Sequence, residues 1–366
     1  MKIVFGKDCF WKRAFSGFVA FVFAVNAAGP SFAQAVTVSA PGQMVSLSPV
    51  FRPVVIKGVQ LDPQNPFRFH FLVDQGDNKS QPEQLKEESS RLIKYFLASL
   101  SIPEKDLWVN LSPYEKDRIV PDEFGQTEMG RDLLAQDYLL KQITASMIYP
   151  DGETGRQFWA RIYAEAQKRF GTTDIPVDTF NKVWIVPDKS VVYENGGTAF
   201  VLENHLKVML DSDYEASRRN VEFQPSSPSQ ELARNILREI VIPALEKEVN
   251  EGKNFAQIRQ VFYSLILATW YKKEIKDSIV NKAYSDRKKI GGVSVSAADK
   301  DKIYQEYLQT FKKGVFNYIK EDPDPVTGQN IPRKYFSGGV IGALRIDYKD
   351  EAQMTTAQRA YLDQAQ

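Results

Sequence analysis

The sequence predicts an α+β fold, in which an antiparallel sheet packs with helices and is followed by a helical unit. Between residues 180 and 210, apolar residues fall mostly at every second position, as half-buried strands require. Asn195 and Gly196 lie between two of these runs and supply the positive φ values of a tight hairpin turn. Long segments on either side place apolar residues at helical spacing instead. After a leader at 1–33, we divide the chain into an α+β unit at 34–226, a helical unit at 227–320, and a C-terminal part at 321–366 with a turn, a strand and a short helix.

The first 33 residues have the layout of a secretory signal peptide. A positively charged start is followed by an uncharged apolar run from Ala14 to Ala28, and the small residues Ser31 and Ala33 match a cleavage site. We therefore expect export to the periplasm or the exterior. Cleavage is expected after Ala33, with Ala35 as the second choice. The alternative is that the segment is retained as an uncleaved anchor.

Composition and charge exclude several classes of function. The formal charge is +1, and it becomes −2 without residues 1–33, because four basic residues and Asp8 are lost. A near-neutral chain lacks the basic surface of a nucleic-acid-binding protein. The single cysteine, Cys9, lies in the predicted leader, so the mature chain has no thiol for a disulfide, a nucleophile or a metal. No later segment has roughly 18 uncharged apolar residues in a row, so we expect a soluble mature chain without a transmembrane segment.

The elements of the α+β unit follow from the two periodicities. Val54 to Leu61 and Pro66 to Val73 alternate like paired strands. The central segment is expected to form three antiparallel strands, because Pro187 to Lys189 interrupts it with turn residues. Residues 212–226 are polar and without periodicity, which predicts a linker. Helices are predicted at 83–100, 131–149 and 155–170, and a further strand at 107–111.

The helical unit has one segment that stands out. Ser227 to Gln230 form a capping pattern that starts a first helix, in which Pro243 predicts a kink. In the next helix, Leu265 to Tyr271 is apolar on nearly every side, so we expect this helix to be buried. In the C-terminal part, a strand is predicted around 340–348 and a short helix from Thr355.

No complete catalytic constellation is present in the sequence. His70 and His205 stand on predicted strands, but a G-x-S-x-G motif is missing. Ser285 to Lys288 matches S-x-x-K without its companion motifs. The HExxH zinc motif and the glycine-rich loops that bind phosphates or dinucleotides are missing too. We therefore predict no cofactor and leave the catalytic residues open.

Carboxylates offer the remaining route to catalysis. Asp74 and Asp77 follow an aromatic strand, where the acids of a glycosidase could lie, but Asp-Gln-Gly-Asp is also ordinary turn chemistry, which we favour. Asp137 and Lys141 are four residues apart on a predicted helix, and this spacing favours an ion pair on the helix surface over a proton relay.

A second group of oxygen ligands lies near the C-terminus. Asp322, Asp324 and Thr327 precede Gly328 in a turn-forming sequence, and calcium binds in such oxygen-rich turns. The later ligands of an EF-hand loop are missing, including its bidentate glutamate. A plain turn is therefore favoured over a metal site.

Two stretches carry a resemblance. Phe180–Leu210 and Arg238–Lys273 together resemble an uncharacterised family of exported bacterial proteins, and the likeness spans residues 65–340. No activity is known for that family, so the resemblance implies no catalytic residue. It implies only that the two halves of the chain belong together as one unit.

These observations favour a non-catalytic binding or scaffold protein of the cell envelope or exterior, with an unknown ligand. The alternative is a carboxylate-based hydrolase that acts on envelope polysaccharide or peptide. Two carboxyl groups about 5–10 Å apart in an aromatic-lined cleft would favour the hydrolase. Acids scattered over turns would favour the binding protein.

The export prediction can be checked by N-terminal sequencing of the mature protein. We expect it to begin at Gln34, or at Val36 as the second choice, because signal peptidases cleave after small residues that follow an apolar run. Recovery of Met1 or Lys2 in a membrane pellet would instead establish an uncleaved anchor.

Overall fold

A computed structural model of the chain describes residues 45–62, 64–78, 82–111, 119–148, 153–173, 182–219, 231, 234–235, 237–274, 297–312, 321–323, 330–332, 337–342 and 344–365. The strands of this part are β1 (Val55–Asp62), β2 (Asn65–Asp74), β3 (Trp108–Val109), β4 (Lys182–Asn195), β5 (Thr198–Leu210), β6 (Glu321–Pro323), β7 (Asn330–Pro332), β8 (Ser337–Ile341) and β9 (Ile346–Lys349). The helices are α1 (Pro82–Ser101), α2 (Asp122–Gly125), α3 (Glu128–Ile148), α4 (Glu153–Phe170), α5 (Asp211–Arg219), α6 (Ile242–Glu251), α7 (Ala256–Glu274), α8 (Ala297–Lys312) and α9 (Thr356–Ala365).

One seven-stranded sheet organises the described part of the chain. Its strand order is β2-β1-β5-β4-β8-β3, and β9 also pairs with β4. The pairs β1–β2, β1–β5, β4–β5 and β3–β8 are antiparallel, whereas β8 and β9 run parallel to β4. Helices pack against the sheet, and a helical region follows β5 in sequence, so the predicted α+β fold is confirmed. The division into three units stays a prediction, and strands from the first and last parts share this sheet.

The central hairpin differs from its prediction in strand number. The turn between β4 and β5 is where the sequence placed it, with positive φ at Gly196 and Gly197. The expected interruption at Pro187 to Lys189 is wrong, however, because β4 continues through it. Pro187 pairs with Leu206 and Lys189 with His205, which leaves Asp188 as an unpaired extra residue. The turn-forming residues make a β-bulge, so two long strands replace the expected three.

Helix α7 is the buried helix that its sequence predicts. Its residues Leu265 to Tyr271 are buried except for the half-buried Thr269, and Leu267 is fully enclosed. The helix contacts α1 on one side and β1 and β5 on the other. Tyr271 meets the inward-facing ring of Phe69 on β2 edge to face, at 5.1 Å between ring centroids. The segment is apolar on nearly every side because helix and strand neighbours cover it on several sides.

Two other expectations are corrected. Part of the predicted linker at 212–226 is the helix α5, whose Asp213 accepts hydrogen bonds from Arg234 and Arg238. The sequence of this helix is mostly polar, so it shows no apolar stripe that would predict a helix. Ion pairs of Asp213 help to stabilise it. The single strand predicted at 340–348 is two strands, β8 and β9, both of which pair with β4. A five-residue π-helix precedes α6, which begins with Pro243 in its first turn.

The edge of β5 is protected by side chains from a helix. β1 pairs with only the first three residues of β5, Thr198 to Phe200. Farther along, the Leu206 amide donates to Asn250 Oδ1 at 2.9 Å, and Asn250 Nδ2 donates to the Leu206 carbonyl at 2.7 Å. The Val208 amide donates to Glu246 Oε2 at 2.9 Å. Helix α6 thus supplies hydrogen bonds that another strand would otherwise supply, and this stretch of edge is closed.

Asp137 and Lys141 are not on the surface, so the prediction of a surface ion pair is wrong. Lys141 Nζ lies 2.6 Å from both carboxylate oxygens of Asp137, and both side chains are fully buried. Asp137 also accepts the Leu111 amide at 2.7 Å. Burial raises the pKa of Asp137 and lowers the pKa of Lys141, and their mutual attraction opposes both shifts. The four-residue spacing predicts that the two side chains pair. It does not predict their burial, which arises because α3 is buried on nearly all sides.

The buried pair gives a test of this part of the fold. Lys141→Met should lower the free energy of unfolding by about 3–5 kcal/mol, because it leaves a buried carboxylate without its counter-charge. Asp137→Asn combined with Lys141→Met should lose much less, since no charge is buried and an acceptor for the Leu111 amide remains. Chemical denaturation measures both.

The exposed pair Glu153–Arg156 on α4 provides the control. Its side chains are 69% and 61% exposed, so Arg156→Met should cost less than about 1 kcal/mol. Equal losses in the single and double variants of Asp137 and Lys141 would contradict the burial of this pair.

Candidate functional site

The predicted acids Asp74 and Asp77 lie in a turn that follows β2. Asp74 Oδ1 accepts the Gly76 amide at 2.9 Å, and Gly76 has a positive φ of 57°. Asp77 Oδ2 accepts the Arg52 amide at 2.8 Å, and its Oδ1 accepts Arg52 Nε at 2.9 Å. Both carboxylates therefore hold local backbone or a neighbouring arginine.

These contacts set the charge of Asp77. Hydrogen bonds from the Arg52 amide and then from its guanidinium lower the pKa of Asp77. The general acid of a glycosidase needs the opposite shift, so that it still holds a proton near neutral pH. Asp77 is therefore poorly suited to donate a proton to a leaving group.

The other predicted candidates are separate from this turn. His70 is exposed on β2, while His205 on β5 places Nδ1 3.2 Å from Asp188 and Nε2 3.6 Å from Glu246. Asp322 lies in β6 opposite Ile331. Asp324, Thr327 and the Ser285 to Lys288 segment fall outside the described residues. Within those residues, no group of three or more His, Cys, Asp or Glu side chains could hold a metal ion.

The structure brings forward a residue that sequence reasoning missed, Lys57 on β1. Ile56 pairs with Val73 and Gly58 pairs with Leu72, so Lys57 is the extra residue of a β-bulge. Lys57 is also the residue next to the last pair between β1 and β5. We call this place, where β1 and β5 separate, the fork. A bulge redirects a side chain, and here it points a lysine into the protein.

Aromatic rings surround the Lys57 ammonium group. Nζ lies 4.6 Å from the ring centroid of Tyr361, 4.7 Å from that of Tyr263 and 5.9 Å from that of Phe200. Nζ also donates to the Tyr263 hydroxyl at 3.1 Å. Tyr361 belongs to α9, Tyr263 to α7 and Phe200 to β5, so three elements meet around Lys57, which is only 5% exposed. Cations within about 6 Å of a ring face are attracted to it.

Burial changes the acidity of this group. Desolvation lowers the pKa of Lys57 to about 8, and the charge of Asp74 opposes the shift. Burial also raises the pKa of Tyr263 and of Tyr361. The fork therefore holds an amine that loses its proton near pH 8 beside two phenols that keep theirs. Shifted pKa values of this kind are found more often at functional sites than elsewhere.

The sequence contained one signal of this site. Lys57 and Gly58 interrupt the apolar residues Val54 to Val59, and an isolated glycine in a strand often marks a bulge or a close approach. A Cβ atom at Gly58 would lie 2.8 Å from the Ala199 carbonyl oxygen and 3.0 Å from Leu72. The three aromatic walls are distant in sequence, and no pattern within β1 could indicate them.

Comparison with known proteins found no matching family model, no similar curated protein and no similar solved structure. The resemblance of Phe180–Leu210 and Arg238–Lys273 to exported proteins therefore stays a prediction. Among the described helices, none is both long enough and apolar enough to cross a membrane.

The shifted pKa of Lys57 predicts a pH dependence of stability. The unfolded chain binds a proton up to the usual pKa of 10.5, whereas the folded chain releases it at about 8. Between these values the unfolded state binds more protons, so stability rises with pH. From pH 7.5 to 9.5, the wild type should gain about 2 kcal/mol in unfolding free energy relative to Lys57→Met.

Urea unfolding at several pH values measures this difference. Lys207→Met, which removes an exposed lysine from β5, controls for the loss of one positive charge. Parallel pH curves for the wild type and Lys57→Met would show that Lys57 is not desolvated in the folded chain.

Proposed function

We propose that the chain is an exported, non-catalytic binding or scaffold protein of the cell envelope or exterior. The observation that supports this most directly is the state of the two candidate acids. Asp77 has both oxygens occupied by Arg52, and Asp74 accepts the Gly76 amide, so neither is arranged like the paired acids of a hydrolase. Export rests on the N-terminal charge and hydropathy pattern.

The outer edge of β2 is the described surface best suited to a binding role. β2 is ten residues long and stands at the end of the strand order, paired on one side with β1. Leu72 and Val73 near its end are 43% and 36% exposed. An edge strand offers main-chain hydrogen bonds to an extended polypeptide, and the exposed side chains of Leu72 and Val73 add an apolar contact on each face of the strand. An extended peptide segment of an envelope protein is therefore the proposed ligand.

Capture from an envelope fraction tests this proposal. The mature wild type should retain a partner that Leu72→Asp loses, because a charge at this edge disfavours pairing with an apolar strand. Tyr163→Asp on α4 is the matched control, since Tyr163 is 44% exposed and lies on a different element. The control should retain the partner. Equal capture by Leu72→Asp and the wild type would rule out this edge.

The hydrolase alternative has its own readout. Purified protein incubated with envelope polysaccharide or peptide should produce no new reducing ends and no new peptide termini. Hydrolysis by the wild type that disappears in Asp74→Asn or Asp77→Asn would overturn the non-catalytic assignment.

A further inference from the structure

Two buried lysines, Lys57 and Lys141, and the half-buried Lys272 can be compared, and two of the three have a structural explanation. Lys141 is paired with Asp137. Lys272 donates to the Ser99 carbonyl, and its Nζ lies 3.5 Å from that of Ile102, so it caps the last turn of α1. Among the described residues, the only hydrogen-bond acceptor at the Lys57 Nζ is the Tyr263 hydroxyl. Within the described part of the chain, Lys57 therefore has neither a carboxylate nor a backbone carbonyl to hold its proton.

We propose that Lys57 is a reactive amine that captures a small apolar aldehyde as an imine at the fork between β1 and β5. The inference stands on the bulge, on the aromatic walls and on the phenol 3.1 Å away. It does not depend on the proposed role of the β2 edge, because different residues are used.

The chemistry needs only groups that are present. The neutral Lys57 Nζ attacks the carbonyl carbon, a C–N bond forms, and a proton passes from nitrogen to the carbonyl oxygen. That oxygen then leaves as water with a second proton, and a C=N bond remains. Tyr263 is placed to give a proton to the departing oxygen and to regain one from nitrogen. Burial raises the pKa of Tyr263, so the phenol is protonated when it is needed. No oxidant or reductant is consumed.

The walls define the class of aldehyde. Phe200, Tyr263 and Tyr361 present ring faces within 6 Å of Nζ. Ring faces are electron-rich, so a flat apolar or aromatic carbonyl compound is favoured over an anionic one. An imine of this kind replaces a desolvated ammonium group by a neutral one, which removes the cost of burying the charge.

Helix α9 covers one side of the site. Tyr361 is half-buried, and α9 lies over one face of β4 and β5 through Tyr361 and Leu362, beside Met354, which precedes the helix. A hydrogen bond from Gln358 Nε2 to Glu203 Oε1 at 2.6 Å adds one polar contact. Elements that pack through few residues open more readily than the core, so movement of α9 is the expected route to Nζ.

Reductive trapping on the native wild-type chain tests the inference. The protein is treated briefly with benzaldehyde and sodium cyanoborohydride, and benzylated lysines are mapped by peptide mass spectrometry. At pH 8, about half of an amine with a pKa of about 8 is neutral, against less than about 1% of an ordinary lysine. We expect Lys57 to be labelled at least about tenfold faster than exposed lysines, with a rate that levels off near pH 8.

Lys272 and two variants test whether a lowered pKa is by itself enough for fast labelling. Burial also lowers the pKa of Lys272 to about 8, but its carbonyl acceptors should keep its labelling slow. Tyr361→Ala should speed the labelling of Lys57 by opening a wall, and Tyr263→Phe should slow it by removing the proton donor. Labelling of Lys57 no faster than that of exposed lysines, or only after unfolding in urea, would overturn the inference. So would equal labelling of Lys57 and Lys272.

Discussion

The burial of α7 is the constraint on which the rest of the structure depends. This helix contacts α1, α3 and α6, and it lies against β1 and β5, so few of its side chains reach solvent. Arg259 near its start donates to the carbonyls of Phe51, Val249 and Gly252, each at 2.8 Å. The helix thereby orders the segment before β1 as well as the core. Any change in its position would also shift Tyr263, which sets one side of the fork.

Charges inside the protein follow a consistent pattern. The buried Glu248 accepts hydrogen bonds from Ser48 and Asn254, and Asp132 accepts the Tyr95 hydroxyl at 2.5 Å. The partners of these groups oppose their desolvation, although burial still raises the pKa of Asp132. Lys57 has one hydroxyl and three ring faces instead, which stabilise an ammonium group less than a carboxylate does. The difference singles out the fork even though no residue in it belongs to a recognised motif.

How much the sequence could predict depended on the range of the interactions involved. The hairpin turn at Gly196 and the burial of Leu265 to Tyr271 follow from local geometry and periodicity, and both are confirmed. The turn predicted at Pro187 to Lys189 is a bulge, because turn and bulge use the same residue types. The burial of Asp137 depended on neighbours of α3 that a four-residue spacing cannot reveal. Lys57 was missed for a similar reason, since its surroundings are assembled from α7, α9 and β5.

The pairing of β4 with β8 and β9 has a consequence for folding. These partners come from the last part of the chain, so β4 has one open edge until that part has been synthesised and has reached the sheet. Pairings between distant segments form slowly, and an open edge can meanwhile pair with another chain. A product that ends before Ser337 would present this edge permanently. Premature termination should therefore lead to aggregation or proteolysis rather than to a smaller folded protein.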